Sequence, residues 1–303
     1  MASLLFGRFS KYFACASATA LPLLLSGCFL FSTTRKLPVP RPPNTIQTVT
    51  PEELVTRLNQ RWEALDTLTA YVQIQASVLN STQGVAKDYT TIPGIVLIRK
   101  PQMLTVFGRV PVIGTEMFEM VSDGKNFTLY IPSKDKAIEG ANSVTTRSEN
   151  QLENLRPGFF LDALDVRGLD PNDFYNVIQD TETIEDAPKK HLYAVPEYIL
   201  SIMHREPDSH EEALVRVIRF HRDDLLPYEQ DIYDGQGNVE TQVIYGQYAF
   251  YGDNKYSSKV TIKRPADGIQ VVLTVLKVVE NQKLGDEQFT VKLPPDTQVQ
   301  TLH

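Results

Sequence analysis

From Leu54 the apolar residues recur at spacings of four and three, at Leu54, Leu58, Trp62, Leu65 and Leu68. That rhythm makes one apolar face on a helix, suited to packing against a sheet or covering a cavity. Thr50-x-x-Glu53 is a capping box, Pro51 takes the first helical position, and Glu52 and Glu53 favour the positive end of the helix dipole. The period then changes to two: Val72, Ile74, Ala76 and Val78 alternate with Tyr71, Gln73, Gln75 and Ser77. Asn80 to Gly84 reads as a turn, with a second strand running toward Thr91. Further strands are predicted at Ile95–Ile98, Met103–Phe107, Met117–Val121, Phe127–Ile131, Leu214–Phe220, Tyr228–Tyr233, Val239–Tyr248, Tyr256–Lys263, Ile269–Val279 and Phe289–Lys292. Asp123-Gly124, Asp234 to Asn238 and Pro265 to Gly268 are turn signals between them. Phe159 to Leu164, behind Pro157-Gly158, and Asp170 to Ile178 read as short helices or loops. The predicted class is mainly β (α+β), an antiparallel meander curling into a large curved sheet with a few helices.

The N-terminus carries a different pattern. Arg8 and Lys11 precede an apolar run from Tyr12 to Leu25, too short for the roughly 20 residues a bilayer span needs. The run ends in Leu25-Ser26-Gly27-Cys28, which resembles the L-[AS]-[GA]-C lipobox of bacterial lipoproteins at every position. That resemblance implies a signal peptide over 1–27 and a covalent lipid on Cys28, a diacylglyceryl group with palmitate-type chains. More than one buried chain gives stable attachment, at about 0.8 kcal/mol per CH₂. Cys15, the other cysteine, lies inside the signal, so the mature chain holds no disulfide. Phe29 follows the lipidated position where Asp would retain an enterobacterial lipoprotein at the inner membrane. The expected location is therefore the periplasmic side of the outer membrane. Residues 28–49 read as a Pro-rich tether, with Pro38, Pro40, Pro42 and Pro43 close together, and 50–303 as one globular domain.

Charge narrows the partners. The formal net charge of -7 falls to -9 without Arg8 and Lys11, and the pI is near 5.3. No basic face for nucleic acid is expected.

Four motifs resemble the LolA/LolB family of lipoprotein carriers. Glu53 to Leu58 followed by Leu65 to Ala70 looks like that family's helix-then-strand opening. Gly94-Ile95-Val96-Leu97-Ile98-Arg99-Lys100-Pro101 is similar to its strand end, and Val121 to Lys125 with Leu129 to Pro132 to its hairpin. Phe289-Thr290-Val291 with Pro294-Pro295 resembles its last strand. The resemblance covers roughly 50–135 and 285–297. It implies an incomplete antiparallel barrel, with lid helices over an apolar cavity that binds acyl chains of lipids or lipoproteins. Candidate lining residues are Val72, Ile74, Leu97, Phe107, Phe118, Met120, Phe127 and Leu129, which either line that cavity or fill a core. Met117, Met120 and Met203 are adaptable enough for variable chains. Phe159, Phe160 and Leu161 form either an exposed, lid-like segment or a buried short helix. In LolA an Arg before the strand-end Pro holds the lid closed; Lys100 occupies that place here and keeps the charge without the planar fork. Arg99 is placed to point to the other face.

Catalytic chemistry is thinly represented. The chain has no G-x-S-x-G, P-loop, G-x-G-x-x-G or H-E-x-x-H. His204, His210 and Glu211 sit in a charged loop without metal-ligand spacing, and Asp234 to Asn238 lacks the Glu at position 12 of a calcium loop. Asp162 and Asp165 flank an apolar pair, and nothing else in the sequence converges on them. The expected protein is a non-enzymatic, cofactor-free lipoprotein that binds or transfers acyl chains. The alternative is a structural or assembly lipoprotein that uses the same fold to bind a protein partner.

Overall fold

A computed structural model describes residues 39–40, 46–80, 84–144, 146, 148, 150–186, 191–205 and 212–303. The signal peptide, Cys28, most of the tether and the Glu206–Glu211 loop, with His210, lie outside the described residues. Two compact units divide the chain: residues 41–182 with 195–303, and residues 1–40 with 183–194. In the smaller one, strand β1 (Val39–Pro40), inside the expected tether, pairs in parallel with Tyr193 and Ala194.

Helix α1 (Pro51–Glu63) begins as its sequence dictates. Glu53 N–H donates to Thr50 Oγ1, and the Glu53 carboxylate accepts from Thr50 N–H at 2.9 Å. Leu54, Val55 and Leu58 bury against Tyr198, Leu200, Ile202, Ile218 and Phe220 in one cluster. The stripe outlasts the helix, because Leu65 and Leu68 belong to the main core beyond it. Just before α1, Gln47 N–H donates to the Arg222 carbonyl and Val49 N–H to Tyr198 Oη, so the end of the expected tether is docked.

The following strands are β2 (Thr67–Asn80), β3 (Val85–Asp88), β4 (Ile92–Arg99), β5 (Met103–Arg109), β6 (Glu116–Asp123), β7 (Asn126–Ile131) and β8 (Lys136–Ala141). Helix α2 (Pro157–Leu164) separates them from β9 (Asp173–Asp186), β10 (His191–Arg205), β11 (Glu212–His221), β12 (Pro227–Tyr233) and β13 (Val239–Tyr245). The chain continues through β14 (Tyr248–Tyr251), β15 (Asn254–Ser257), β16 (Lys259–Arg264), β17 (Ile269–Glu280) and β18 (Gln298–Thr301). The main sheet runs β10-β11-β12-β13-β16-β17-β2-β4-β5-β6-β7-β8-β18, with neighbours antiparallel except β8 and β18, and the path does not close. Val243 and Leu273 share one core with Phe127 and Ile138, several strands away. Side chains that far apart along a sheet meet only where it curls.

Three expectations fail. Asp170 to Ile178 is not helical: from Asp173 it forms β9, whose Tyr175 and Val177 pack inward while Phe174 and Ile178 are exposed. Phe289–Lys292 is not a strand. Phe289 ends a 3-10 turn (Asp286–Phe289) and buries against Leu97 and Leu284. The runs predicted over Val239–Tyr248 and Tyr256–Lys263 break at Gly246 and Ser258, and β14 and β15 pair only with each other in a separate two-stranded sheet.

Candidate functional site

The concave face of the sheet is closed by two elements that donate no strand to it. One is α2. Phe159 and Phe160 stack edge to face at 5.0 Å and are fully buried in the core with Leu68, Val72, Met120 and Ile138. The segment is therefore a buried short helix, and the exposed reading of Phe159 and Phe160 is corrected; Leu161 is partly buried against the same core. Arg156 pins the helix start, donating to the Glu153, Leu155 and Thr146 carbonyls with its guanidinium 5.0 Å from the Phe127 ring. Beyond α2, Arg216 donates to the Arg167 and Gly168 carbonyls at 2.6 and 2.8 Å.

The other element is the β14–β15 hairpin. Tyr248 Oη donates to the Pro227 carbonyl at 2.8 Å and Tyr251 Oη to that of Val275 at 2.9 Å. Tyr256 and Asn254 reach the Glu280 carboxylate, and Arg61 donates to the Lys255 carbonyl at 2.6 Å. The Arg61 guanidinium lies 5.5 Å from the Tyr256 ring and 6.0 Å from that of Tyr248.

Between the two covers lies a cavity of about 40 Å³, lined on one side by Leu65, Leu68, Val260 and Val275 and on the other by Asp165, Tyr245 and Arg61. Tyr245 Oη is buried without a hydrogen bond, as is Gln230 Oε1, whose Nε2 donates to the Asp162 carbonyl at 2.9 Å. Such atoms each cost about 1–3 kcal/mol, so two of them beside one helix need a reason.

Lys100 joins this site from the end of β4. Its Nζ lies 3.5 Å from Asp165 Oδ2, sits 3.5 Å above the centre of the Trp62 ring, and donates to the Trp62 carbonyl. One side chain thus connects β4, the end of α1 and the end of α2. Burial pushes the Asp165 carboxyl up to about 7, against the pull of Lys100 and Arg61; burial likewise lowers Lys100. Asp162 is pushed up to about 6 by burial, opposed by Arg216 and Arg167. An open groove of about 400 Å³ runs past Trp62, Lys100, Leu161 and Asp162.

Of the predicted lining residues, Val72, Ile74, Met120, Phe127 and Leu129 are buried on the concave face and Phe118 packs against them. Leu97 and Phe107 are not there, which corrects two assignments. Val96, Ile98, Leu104 and Val106 take the inward positions on their strands, so Leu97 and Phe107 project to the opposite face. There Leu97 meets Phe289, and Phe107 lies 5.1 Å from the Arg109 guanidinium. Arg99 also takes that face, donating to the Leu284 carbonyl at 2.9 Å above the Phe289 ring.

At the β5–β6 turn, Val112 is fully exposed and Ile113 is 74% exposed. Val112 holds φ = 70°, a left-handed conformation unfavourable for a β-branched residue. Val110 N–H to Thr115 and Gly114 N–H to Val110 bonds fix this apolar tip.

Sequence reasoning named Asp165 without a partner and missed Tyr245, Gln230, Arg61 and the hairpin. Gly252-Asp253 between Phe250-Tyr251 and Tyr256 was the available hairpin signal. The candidate metal residue His204 pairs with Asp173 at 2.8 Å, and no cluster of three or more metal-ligating side chains occurs among the described residues. Asp234 to Asn238 is a hairpin turn, with Asp234 Oδ1 accepting from Gln236 and Asn238 N–H. Among the described residues no helix is long and apolar enough to cross a membrane.

No protein-family model and no curated protein matches the chain. Among solved structures it is similar to a LolA superfamily protein from Nitrosomonas europaea, at 14% identity over 80% of this chain and 99% of that one, with TM-score 0.49. It is similar to a DUF1329 family protein from Desulfovibrio piger at 15% identity, over 78% and 95% of the chains, with TM-score 0.48. A proposed outer membrane lipoprotein-sorting domain from Vibrio parahaemolyticus matches at 11% identity over 78% and 94%, with TM-score 0.49.

Proposed function

We propose that this chain is a non-catalytic envelope lipoprotein, anchored through Cys28 at the outer membrane, that binds acyl chains of lipids or lipoproteins on the concave face of its sheet. The observation that carries this reading is the way the interior is covered. A sheet rich in Val, Ile and Leu is closed by α2 and the β14–β15 hairpin, neither paired into it, with a residual cavity and unpaired polar atoms beneath them. Lifting α2 removes Phe159 and Phe160 from the core and leaves apolar walls of the kind an acyl chain replaces, at roughly 25 cal/mol per Å² buried. Lys100, at the lid-holding position of the resemblance, bridges to Asp165 and Trp62 and holds the closed state. Transfer then needs no covalent step, only a difference in affinity between donor and acceptor. The Val112–Ile113 tip supports contact with an apolar surface such as a bilayer.

One observation favours the alternative, a scaffold with a filled interior: the cavity is only about 40 Å³ as it stands, against the roughly 300–1,000 Å³ of small-molecule sites. Native mass spectrometry separates the two. The protein is purified without detergent and titrated with a lipidated peptide. A saturable one-to-one complex supports the carrier; no uptake at any concentration sinks it in favour of a protein partner.

A further inference from the structure

We propose that the cavity beneath the β14–β15 hairpin is the head-group end of the acyl site, where Tyr245, Asp165 and Arg61 hold the carboxyl of a single-chain fatty acid. This rests on the acyl-binding reading and adds the ligand's polar chemistry and its door. Three observations point to it. Tyr245 Oη and Asp165 Oδ2 are both buried and both line the cavity; Tyr245 Oη lacks a hydrogen-bond partner, and Asp165 Oδ2 has the Lys100 ion pair at 3.5 Å. A phenol O–H and a carboxyl that can share a proton are what a carboxylic acid bonds to, and the Arg61 guanidinium balances its charge. The remaining walls, Leu65, Leu68, Ala70, Val260, Val275 and Val278, are apolar and continue into the main core, the direction a hydrocarbon tail would take.

The door is the hairpin. A cavity of about 40 Å³ admits about three or four waters, at about 10–15 Å³ each, and no acyl chain. The hairpin shares no strand ladder with the main sheet and is held by side chains of Tyr248, Tyr251, Asn254, Tyr256 and Arg61. Gly246 N–H bonds to the Lys259 carbonyl at 2.8 Å, so β13 and β16 remain joined at its base while the rest swings out.

The test is a titration of the full chain with palmitic acid labelled with ¹³C at the carboxyl, and in parallel with its methyl ester. The wild type is expected to bind the acid about tenfold more tightly than the ester, with the carboxyl resonance moved from its free position. Tyr245→Phe keeps the ring and removes one hydrogen bond. It is expected to lose about five- to tenfold for the acid and nothing for the ester; Asp165→Asn should narrow the preference likewise. Amide exchange over 248–257 should rise when the acid is added. Equal binding of acid and ester by the wild type overturns the head-group site and leaves the acyl site standing. A Tyr245→Phe protein that melts higher with its acid preference intact assigns Tyr245 to packing alone and overturns the inference. Failure of both probes to bind overturns the acyl reading itself.

Discussion

Asp165 gives the sharpest quantitative prediction. Burial beneath α2 raises its carboxyl from 3.8 to about 7, even with Lys100 3.5 Å away. The unfolded chain ionises this group near pH 4, while the folded chain keeps it protonated until about pH 7. Between those values the folded state binds more protons, so stability falls as pH rises, by up to about 1.4 kcal/mol per pH unit. The stabilisation is complete below about pH 4 and gone above pH 7, a total of about 4 kcal/mol for the full shift. Asp165→Asn keeps the shape and cannot ionise. Its stability relative to wild type should therefore climb from pH 4 to pH 8 by at least about 2 kcal/mol, and flatten above pH 8. Urea unfolding followed by fluorescence reads this directly, because Trp62, the one tryptophan, packs against Lys100 at the site. Parallel stability curves for the two proteins across pH 4–8 would refute the buried, proton-holding Asp165.

Three further predictions come from the same geometry. Lys100→Met removes the charge facing Asp165 and should destabilise the protein by about 3 kcal/mol at pH 8, less at pH 5 where Asp165 is neutral, as read by urea titration at the two pH values. Phe160→Ala deletes a fully buried ring of the α2 cover and should cost about 3–5 kcal/mol in the same assay, while speeding amide exchange over 157–164. Val112→Gly relieves a left-handed, fully exposed valine and should raise stability by about 1 kcal/mol while weakening binding to zwitterionic phospholipid vesicles; unchanged vesicle binding would remove the tip from the membrane account.

The parts of this fold legible in the sequence are those set by local chemistry. The capping box at Thr50 and Glu53, the Pro157 start of α2 and the Asp234 turn all stand where their residues put them. What was lost depends on facing surfaces. Ile95 to Ile98 is apolar throughout, so alternation cannot say which residues face inward. The turn carrying Phe289 buries the outer face of β4 as well, and that is why Leu97 was misplaced. β9 was hidden because Asp173, Asn176, Gln179 and Asp180 break its apolar rhythm, and its partner β10 follows a loop. The candidate site was half visible. Lys100 stood out through the strand-end motif, but Asp165 and Tyr245 meet only because β13 and α2 are brought together across the curl of the sheet. No spacing between positions 165 and 245 encodes that meeting.

The most direct test of the central claim is to map where an acyl chain sits. A lipidated peptide with a diazirine at mid-chain is bound to the protein and photolysed, and the labelled residues are identified by peptide mass spectrometry. The account predicts label on the concave face, at Leu68, Val72, Val260 and Leu273 beneath α2 and the hairpin, and loss of that label when excess palmitate competes. Label confined to the exposed Val112–Ile113 tip, or to the outer face around Leu97 and Phe107, would contradict it.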